Sequence, residues 1–267
     1  MMATASSSTI AKAFRILQLF REHTVLTASL CESSLGIPRA TAHRLLLSLR
    51  DAGALEQVPN GHYTLSVSLF ELGVLAPERR RLGDRCGSEV EALADRTGYR
   101  AHLAVLRDHQ VLYLEAAHGA HAQAQGIRTR VGHRGPLHAT AIGLVFLAYG
   151  ADTLLAEVLA EGLQTYTERT LTTEARLRAE LDVVRREAAA FLVGQYVPGV
   201  TALAVPLQDP DGDVHAAISI VGDSRSMHRD RARITEAARQ TAARIESGMV
   251  ATFRRRSTER NALVVSL

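Results

Sequence analysis

Arg39, Thr41, His43 and Arg44 fall within six residues, directly after Leu35-Gly36-Ile37-Pro38. These side chains carry the donors and acceptors that suit phosphate oxygens and base edges of duplex DNA. Histidine also binds metals, and His118, His121, His133 and His138 come nearest to a cluster in this chain. No histidine pair has the i, i+4 spacing of a helical zinc motif, and Cys31 and Cys86 stand apart from them. No nucleophile elbow, phosphate-cradling glycine loop or paired Cys/His signature is present. The residues therefore predict no metal, no cofactor and no catalytic group.

The elements that must position the first cluster are legible from about Thr27 to Leu65. Pro38 stands where a helix starts, at a first helical position that needs no N–H. Ala42, Leu45, Leu46 and Leu49 repeat at helical spacing and form an apolar stripe, which leaves Ala40, Thr41, His43 and Arg44 on the other side and Arg39 at the border. Gly53 stops this helix. Ala54–Val58 and His62–Leu65 then flank Pro59-Asn60-Gly61, a strong hairpin signal. Helix, turn, helix and hairpin make a winged helix, in which the second helix meets base edges while the hairpin tip, near Asn60 and His62, reaches backbone or minor groove. A helical pair and ribbon packed inside a larger α/β domain is the competing reading. Upstream, Ile10, Ala13, Phe14, Leu17 and Phe20 mark an amphipathic first helix with Thr9 as its cap. Lys12 on that helix contacts phosphate or lies on a solvated face.

Composition limits the partners. The chain has 267 residues, a net charge of +3 and no tryptophan. Few aromatics argue against base-stacking platforms for single strands and favour duplex DNA. Residues 1–65 hold six basic and four acidic side chains, hence +2 of the total, which suits a modest phosphate-contacting face that gains from dimerisation. Two isolated cysteines cannot make a disulfide framework and point to a reducing cytoplasm. No stretch reads as a signal peptide or membrane span.

After the hairpin, Val67, Phe70, Leu72, Val74 and Leu75 begin a helical connector, and Arg79-Arg80-Arg81 reads as a solvated linker or helix start. Helix is expected from Asp84 to Thr97. Arg100–Arg107 and Gln110–Ala117 form an antiparallel hairpin around Asp108-His109, with another strand near Gly126–Val131. Pro136 and the small residues after it open a tightly packed helix whose N-terminus can receive a carboxylate. A helix over Glu174–Ala190, strands at Phe191–Tyr196, Val200–Leu207 and Val214–Val221, and a final helix over about Arg229–Phe253 complete the domain. Asp209-Pro210-Asp211-Gly212-Asp213 reads as a plain turn and not as a calcium loop.

The segment LGIPRATAHRLLLSLRDAGALE resembles the N-terminal domain of IclR-type transcriptional regulators, whose recognition helix opens Gly-Leu-Pro-Lys/Arg-Ser-Thr and continues His-Arg-Leu-Leu. Gly36, Ile37, Pro38, Arg39, Thr41, His43, Arg44, Leu45 and Leu46 fit that pattern, while Ala40 stands in place of serine. Lys12 matches a basic position of the same family. Further on, Gly132, Pro136, Leu137, His138, Ala139, Thr140, Ala141, Gly143, Leu147 and Ala148 match the family's C-terminal motif, with Leu144 where a lysine is usual. Gly199, Ala204, Pro206, Ser219 and Gly222 keep the frame of a third region. There Gln195 occupies an acidic position and Val221 a serine.

The resemblance implies an α+β protein. Residues 1–65 form a winged helix-turn-helix DNA-binding domain, 66–85 a linker helix, 86–253 a GAF-like antiparallel sheet flanked by helices that binds an effector, and 254–267 a tail. It implies a ligand-responsive regulator, a repressor in preference to an activator, that binds operator DNA as a homodimer or homotetramer in the cytoplasm. Lys12, Arg39, Ala40, Thr41, His43, Arg44, Asn60 and His62 are the expected DNA contacts. His138, Thr140, Ala141, Ile142, Gly143, Gln195, Pro206, Ser219 and Val221 are expected around the effector, although His138 also reads as a packed residue. A pocket less polar than usual implies a small organic acid or aromatic metabolite, more apolar than a small keto acid. The alternative is a GAF-like small-molecule enzyme with an N-terminal interaction module, for which this chain lacks the clustered cysteines.

Overall fold

Local signals in the first sixty-five residues set most of the N-terminal unit. In the computed structural model, which describes residues 8–75, 86–120, 129–209 and 211–264, helix α1 spans Thr9–Gln18. Its cap is Ser8, whose hydroxyl accepts the Ala11 N–H at 3.2 Å, one residue before the expected Thr9. Helix α2, Ala28–Leu35, is capped by Thr27 and ends at Gly36, where φ is +66°. Helix α3 spans Arg39–Asp51, so Pro38 sits at the cap and not at the first helical position. Proline has no side-chain acceptor, and Glu32 of α2 supplies one: its Oε1 accepts the Arg39 N–H at 3.1 Å. Strands β1, Leu55–Val58, and β2, His62–Leu65, pair with Val58 opposite His62 across a turn in which Asn60 and Gly61 both have positive φ. Leu26 adds a bridge to Tyr63 through two backbone bonds of 2.9 Å.

Ile16, Leu26, Cys31, Ala42, Leu45, Leu46, Leu55 and Tyr63 are buried together. The expected α1 stripe holds in part: Ala13, Leu17 and Phe20 pack against this core, but Ile16 takes the fully buried position, whereas Ile10 and Phe14 are 72% and 62% exposed. Helix α4, Val67–Gly73, likewise leaves Val67, Phe70 and Leu72 exposed.

The chain divides into two compact units, Met1–Arg80 and Arg81–Leu267. In the second, helix α5 (Cys86–Thr97) leads into strands β3 (Arg100–Arg107), β4 (Gln110–His118) and the short β5 (Arg134–Gly135). Helices α6 (Ala141–Tyr149), α7 (Asp152–Glu161) and α8 (Glu174–Glu187) precede β6 (Ala190–Val193), β7 (Val200–Gln208) and β8 (Val214–Asp223). Helices α9 (Ser224–Arg229) and α10 (Arg231–Val264) close it. All pairings are antiparallel, in the order β5-β4-β3-β8-β7-β6.

Period-two alternation divides the sheet into two faces. Leu103, Val105, Leu203, Val205, Ile218 and Ile220 face one core with α5 and α10. Ala104, Ala190, Ala202, Ala204 and Ala217 face the other, against α6 and α8. Alanine on that face lets α6 lie close to the sheet, and residues 141–148 of α6 are all buried. At Gly143 any β-carbon would overlap the Leu137 backbone.

Several sequence expectations need adjustment. Of the strand expected near Gly126–Val131, residues 129–131 are not strand and the rest lies outside the described residues; the short strand falls at Arg134–Gly135. The helix begun by Pro136 starts only at Ala141, because Thr140 is the cap. The 174–190 helix ends at Glu187, with Ala188 left-handed at φ +47°. Helix α10 continues to Val264, through most of the expected tail. Helix α7 was not foreseen. Arg79-Arg80-Arg81 and His121 lie outside the described residues. Among the described residues no helix is long and apolar enough to cross a membrane. The turn at Asp209 brings Asp209, Asp213 and His215 together, but Asp209 Oδ1 already accepts the N–H groups of Asp211 and Asp213.

Gly143→Ala should destabilise the protein by about 2–3 kcal/mol, because backbone and not a flexible side chain must move. Thermal unfolding checks this, and a melting temperature equal to wild type would show that α6 has room to shift.

Candidate functional site

Two sites emerge, one in each unit. In the N-terminal unit α3 turns Ala42, Leu45 and Leu46 inward. Arg39, Ala40, His43 and Arg44 are therefore exposed, and Thr41 is half-buried at the flank. All five belong to the first two turns, the part of a recognition helix that reaches base edges. Asn60 is exposed at the hairpin tip, and His62 is half-buried at the start of β2. Lys12 is half-buried on α1. Arg15, on the same helix, donates to the Leu35 carbonyl at 3.2 Å and ties α1 to the end of α2.

The second site is a cavity of about 410 Å³ on the alanine-rich face of the sheet. Strand β3 contributes His102, β4 Tyr113, β7 Val200 and Ala202, and β8 Ser219 and Val221. The start of α6 contributes Thr140, Ala141 and Ile142 and β5 contributes Arg134, while connections supply His133, Tyr166, Gln195 and Tyr196. The first-turn N–H groups of a helix have no acceptor within it, so Ala141 and Ile142 present donors and a positive dipole end at this wall. Thr140 holds that end in place: its hydroxyl donates to the Pro136 carbonyl at 2.7 Å and accepts the Gly143 N–H at 3.1 Å.

The aromatic side chains pack edge to face. His102 and Tyr113 are 5.3 Å apart between ring centres, and Tyr166 and Tyr196 are 4.8 Å apart. Burial raises the Tyr113 phenol above its usual range, with Tyr196 adding to the effect, and both influences also raise Tyr166. Burial holds the His102 imidazole down at about 3, helped by the positive charge of Arg100 and by His118. The ring is therefore neutral at physiological pH. Arg134 is the cation at the wall, and Asp108 pairs with its Nη2 at 2.8 Å. Arg134 Nε, His102 Nε2 and Gln195 Oε1 are buried and have no partner among the described residues. Buried polar atoms without partners are uncommon, and here three lie in residues that line one cavity.

Of the residues expected around an effector, Thr140, Ala141, Ile142, Gln195, Ser219 and Val221 line this cavity. His138 does not. Its Nε2 lies 2.9 Å from the Gln164 carbonyl and its ring stands beside Tyr166, so it supports the loop that carries that tyrosine. Gly143 lies one step inside α6, where its N–H serves the Thr140 cap. Pro206 on β7 lies opposite Ala217 of β8, outside the lining residues. The sequence reading missed His102, Tyr113, His133, Arg134, Tyr166 and Tyr196. A polar residue inside the apolar run Ala101–Val105 was a readable signal for His102. Tyr166 and Tyr196 meet only because Thr167 and Thr170 pin their loops together, each donating 2.7 Å hydrogen bonds to the carbonyls of Gly194 and Gln195 respectively.

Comparison with known proteins assigns a family to both units. Residues 9–59 match the IclR helix-turn-helix domain, and residues 78–247 match the C-terminal domain of the bacterial transcriptional regulator IclR. The chain is 32% identical over 215 residues to the HTH-type transcriptional regulator XynR of Escherichia coli K12, covering 79% of this chain and 84% of that protein. It is 26% identical to the transcriptional repressor IclR of the same organism, covering 86% and 85%. A crystal structure of an IclR homologue from Microbacterium hydrocarbonoxydans, complexed with 4-hydroxybenzoate, matches with a TM-score of 0.82 at 29% identity, over 91% of this chain and 100% of that one. The chain belongs to the IclR family of bacterial transcriptional regulators, with a helix-turn-helix unit for DNA and a C-terminal unit of the effector-binding kind.

Proposed function

We propose that this regulator is a homodimeric repressor whose paired α3 helices read a pseudo-palindromic operator and whose cavity takes a small organic acid or aromatic metabolite. The observation that carries the effector reading is the cavity itself, whose lining combines an open helix N-terminus and Arg134 with a wall of aromatic rings. The helix end and the guanidinium suit a carboxylate, and the rings suit a flat apolar body. The 4-hydroxybenzoate held by the Microbacterium homologue supports an acid of this kind.

Arg39, Thr41, His43 and Arg44 are the groups for operator contact, with Ala40 between them offering only a methyl group to a base edge. Asn60 and His62 reach the backbone or minor groove from the hairpin, and Lys12 adds a phosphate contact from α1. Support for a dimer comes from Ile10 and Phe14 on α1 and from Val67, Phe70 and Leu72 on α4, all more than 60% exposed. Such exposure is costly in water and marks a surface that a second copy covers. A modest charge surplus in residues 1–65 fits the same picture, since two weakly basic heads together bind what one cannot. Effector control requires a ligand that binds unequally to the operator-competent and operator-released states. The regulator names of the relatives support a non-enzymatic role.

Gel shifts with the DNA upstream of the gene test the proposal as a whole. Sequence-selective binding that an aromatic acid weakens is the expected result, and absence of selective binding at low salt would refute it. Arg44→Ala should lower operator affinity and reduce the slope of log affinity against log salt by about one if it holds a phosphate. Phe70→Glu should weaken the dimer by about tenfold or more, as read by sedimentation velocity. Ser219→Leu should fill the cavity and abolish the effector-dependent change in operator affinity; a retained response would place the effector elsewhere.

A further inference from the structure

His102 is 1% exposed, yet it lines the cavity and its Nε2 has no partner among the described residues. Its Nδ1 lies 3.4 Å from Ser219 Oγ, its neighbour across β3 and β8. Period two puts both side chains on the face of the sheet that holds the cavity. Tyr113 packs edge-on against the imidazole and restrains its tilt. One ring nitrogen thus lies against a serine hydroxyl, and the other is buried without a partner among the described residues.

Resting on the effector reading above, we infer that His102, oriented by Ser219, is a specificity-determining residue that selects carboxylate effectors bearing a hydroxyl group. A serine hydroxyl can donate to Nδ1 or accept from it, so Nε2 can present either an N–H or a lone pair. A hydroxyl, itself donor and acceptor, is satisfied by both forms. The imidazole stays neutral because burial, with Arg100 and His118 nearby, disfavours its charged form. It therefore offers a directional hydrogen bond and no charge for a second carboxylate. A ligand without a hydroxyl leaves the buried Nε2 unpaired, whereas a hydroxyl that reaches it gains a hydrogen bond worth about tenfold or more in affinity. Gln195 Oε1, the unpartnered acceptor on the same cavity wall, can take a donor from the ligand but cannot replace the two-way imidazole.

Calorimetric titration of the full chain with benzoate, 3-hydroxybenzoate and 4-hydroxybenzoate tests this. Wild type should bind at least one hydroxybenzoate tenfold or more tightly than benzoate. His102→Phe, which keeps a flat ring without nitrogen, should bring the acids within about twofold of one another, and His102→Gln, which restores a donor and acceptor, should recover most of the preference. Ser219→Ala removes a single oxygen and should narrow the preference severalfold, which keeps a test in hand if His102→Phe fails to fold. Equal affinities in wild type, a preference that survives His102→Phe, or one unchanged in Ser219→Ala would overturn the role of His102 and leave the effector site standing. Failure of all three acids to bind would overturn the site as well.

Discussion

The close seating of α6 on the sheet is the constraint from which the rest of the effector-binding unit follows. Ala104, Ala202, Ala204 and Ala217 provide a flat floor, and Gly143 removes the one β-carbon that would strike the Leu137 backbone. Burial over eight consecutive residues disfavours a charged group along this helix, and Leu144 keeps its length apolar. Its unsatisfied N–H groups are then concentrated at one end, at Ala141 and Ile142, and that end opens on the cavity.

The cavity combines this weak positive pole with surroundings that hold little net charge. Arg134 is neutralised by Asp108, Tyr113 and Tyr166 stay protonated, and His102 is neutral. Such a site favours a single carboxylate on a mostly apolar body. A dianion would meet too few donors, and a neutral hydrocarbon would leave several polar atoms unpaired. The N-terminal unit works on a different principle, with exposed, solvated groups on a rigid helix. Its stiffness comes from the Glu32 carboxylate at the Arg39 N–H and from a small core around Leu46 and Tyr63. On the proposed reading, affinity there depends on salt and on pairing of two copies, whereas affinity in the cavity depends on desolvation.

The helix-turn-helix was legible in the sequence because its signals are local. Gly36, Gly53 and the Asn60-Gly61 pair occupy positions where positive φ is needed, and each fell where expected. The caps were misplaced by one residue, since Ser8 and Thr9 are equally good acceptors and Pro38 fits either side of the helix start. Part of the α1 stripe misled for another reason. Ile10 and Phe14 have the right spacing for burial within the unit, but they are exposed. In the second unit the residues near the motif at the start of α6 were accessible to sequence reasoning. Tyr113, Tyr166 and Tyr196 were not, because they and His102 converge from four separate stretches of chain. Their meeting depends on strand register and on threonine hydroxyls that bond loop carbonyls.

The central claim is that the N-terminus of α6 receives a carboxylate inside a nearly neutral aromatic cavity. Calorimetric titration of the full chain with 4-hydroxybenzoate and with its uncharged carboxamide is the most direct measurement. The acid should bind about tenfold or more tightly, because a charge-assisted bond to helix N–H groups is stronger than a neutral one. Equal affinity for acid and amide would contradict the account.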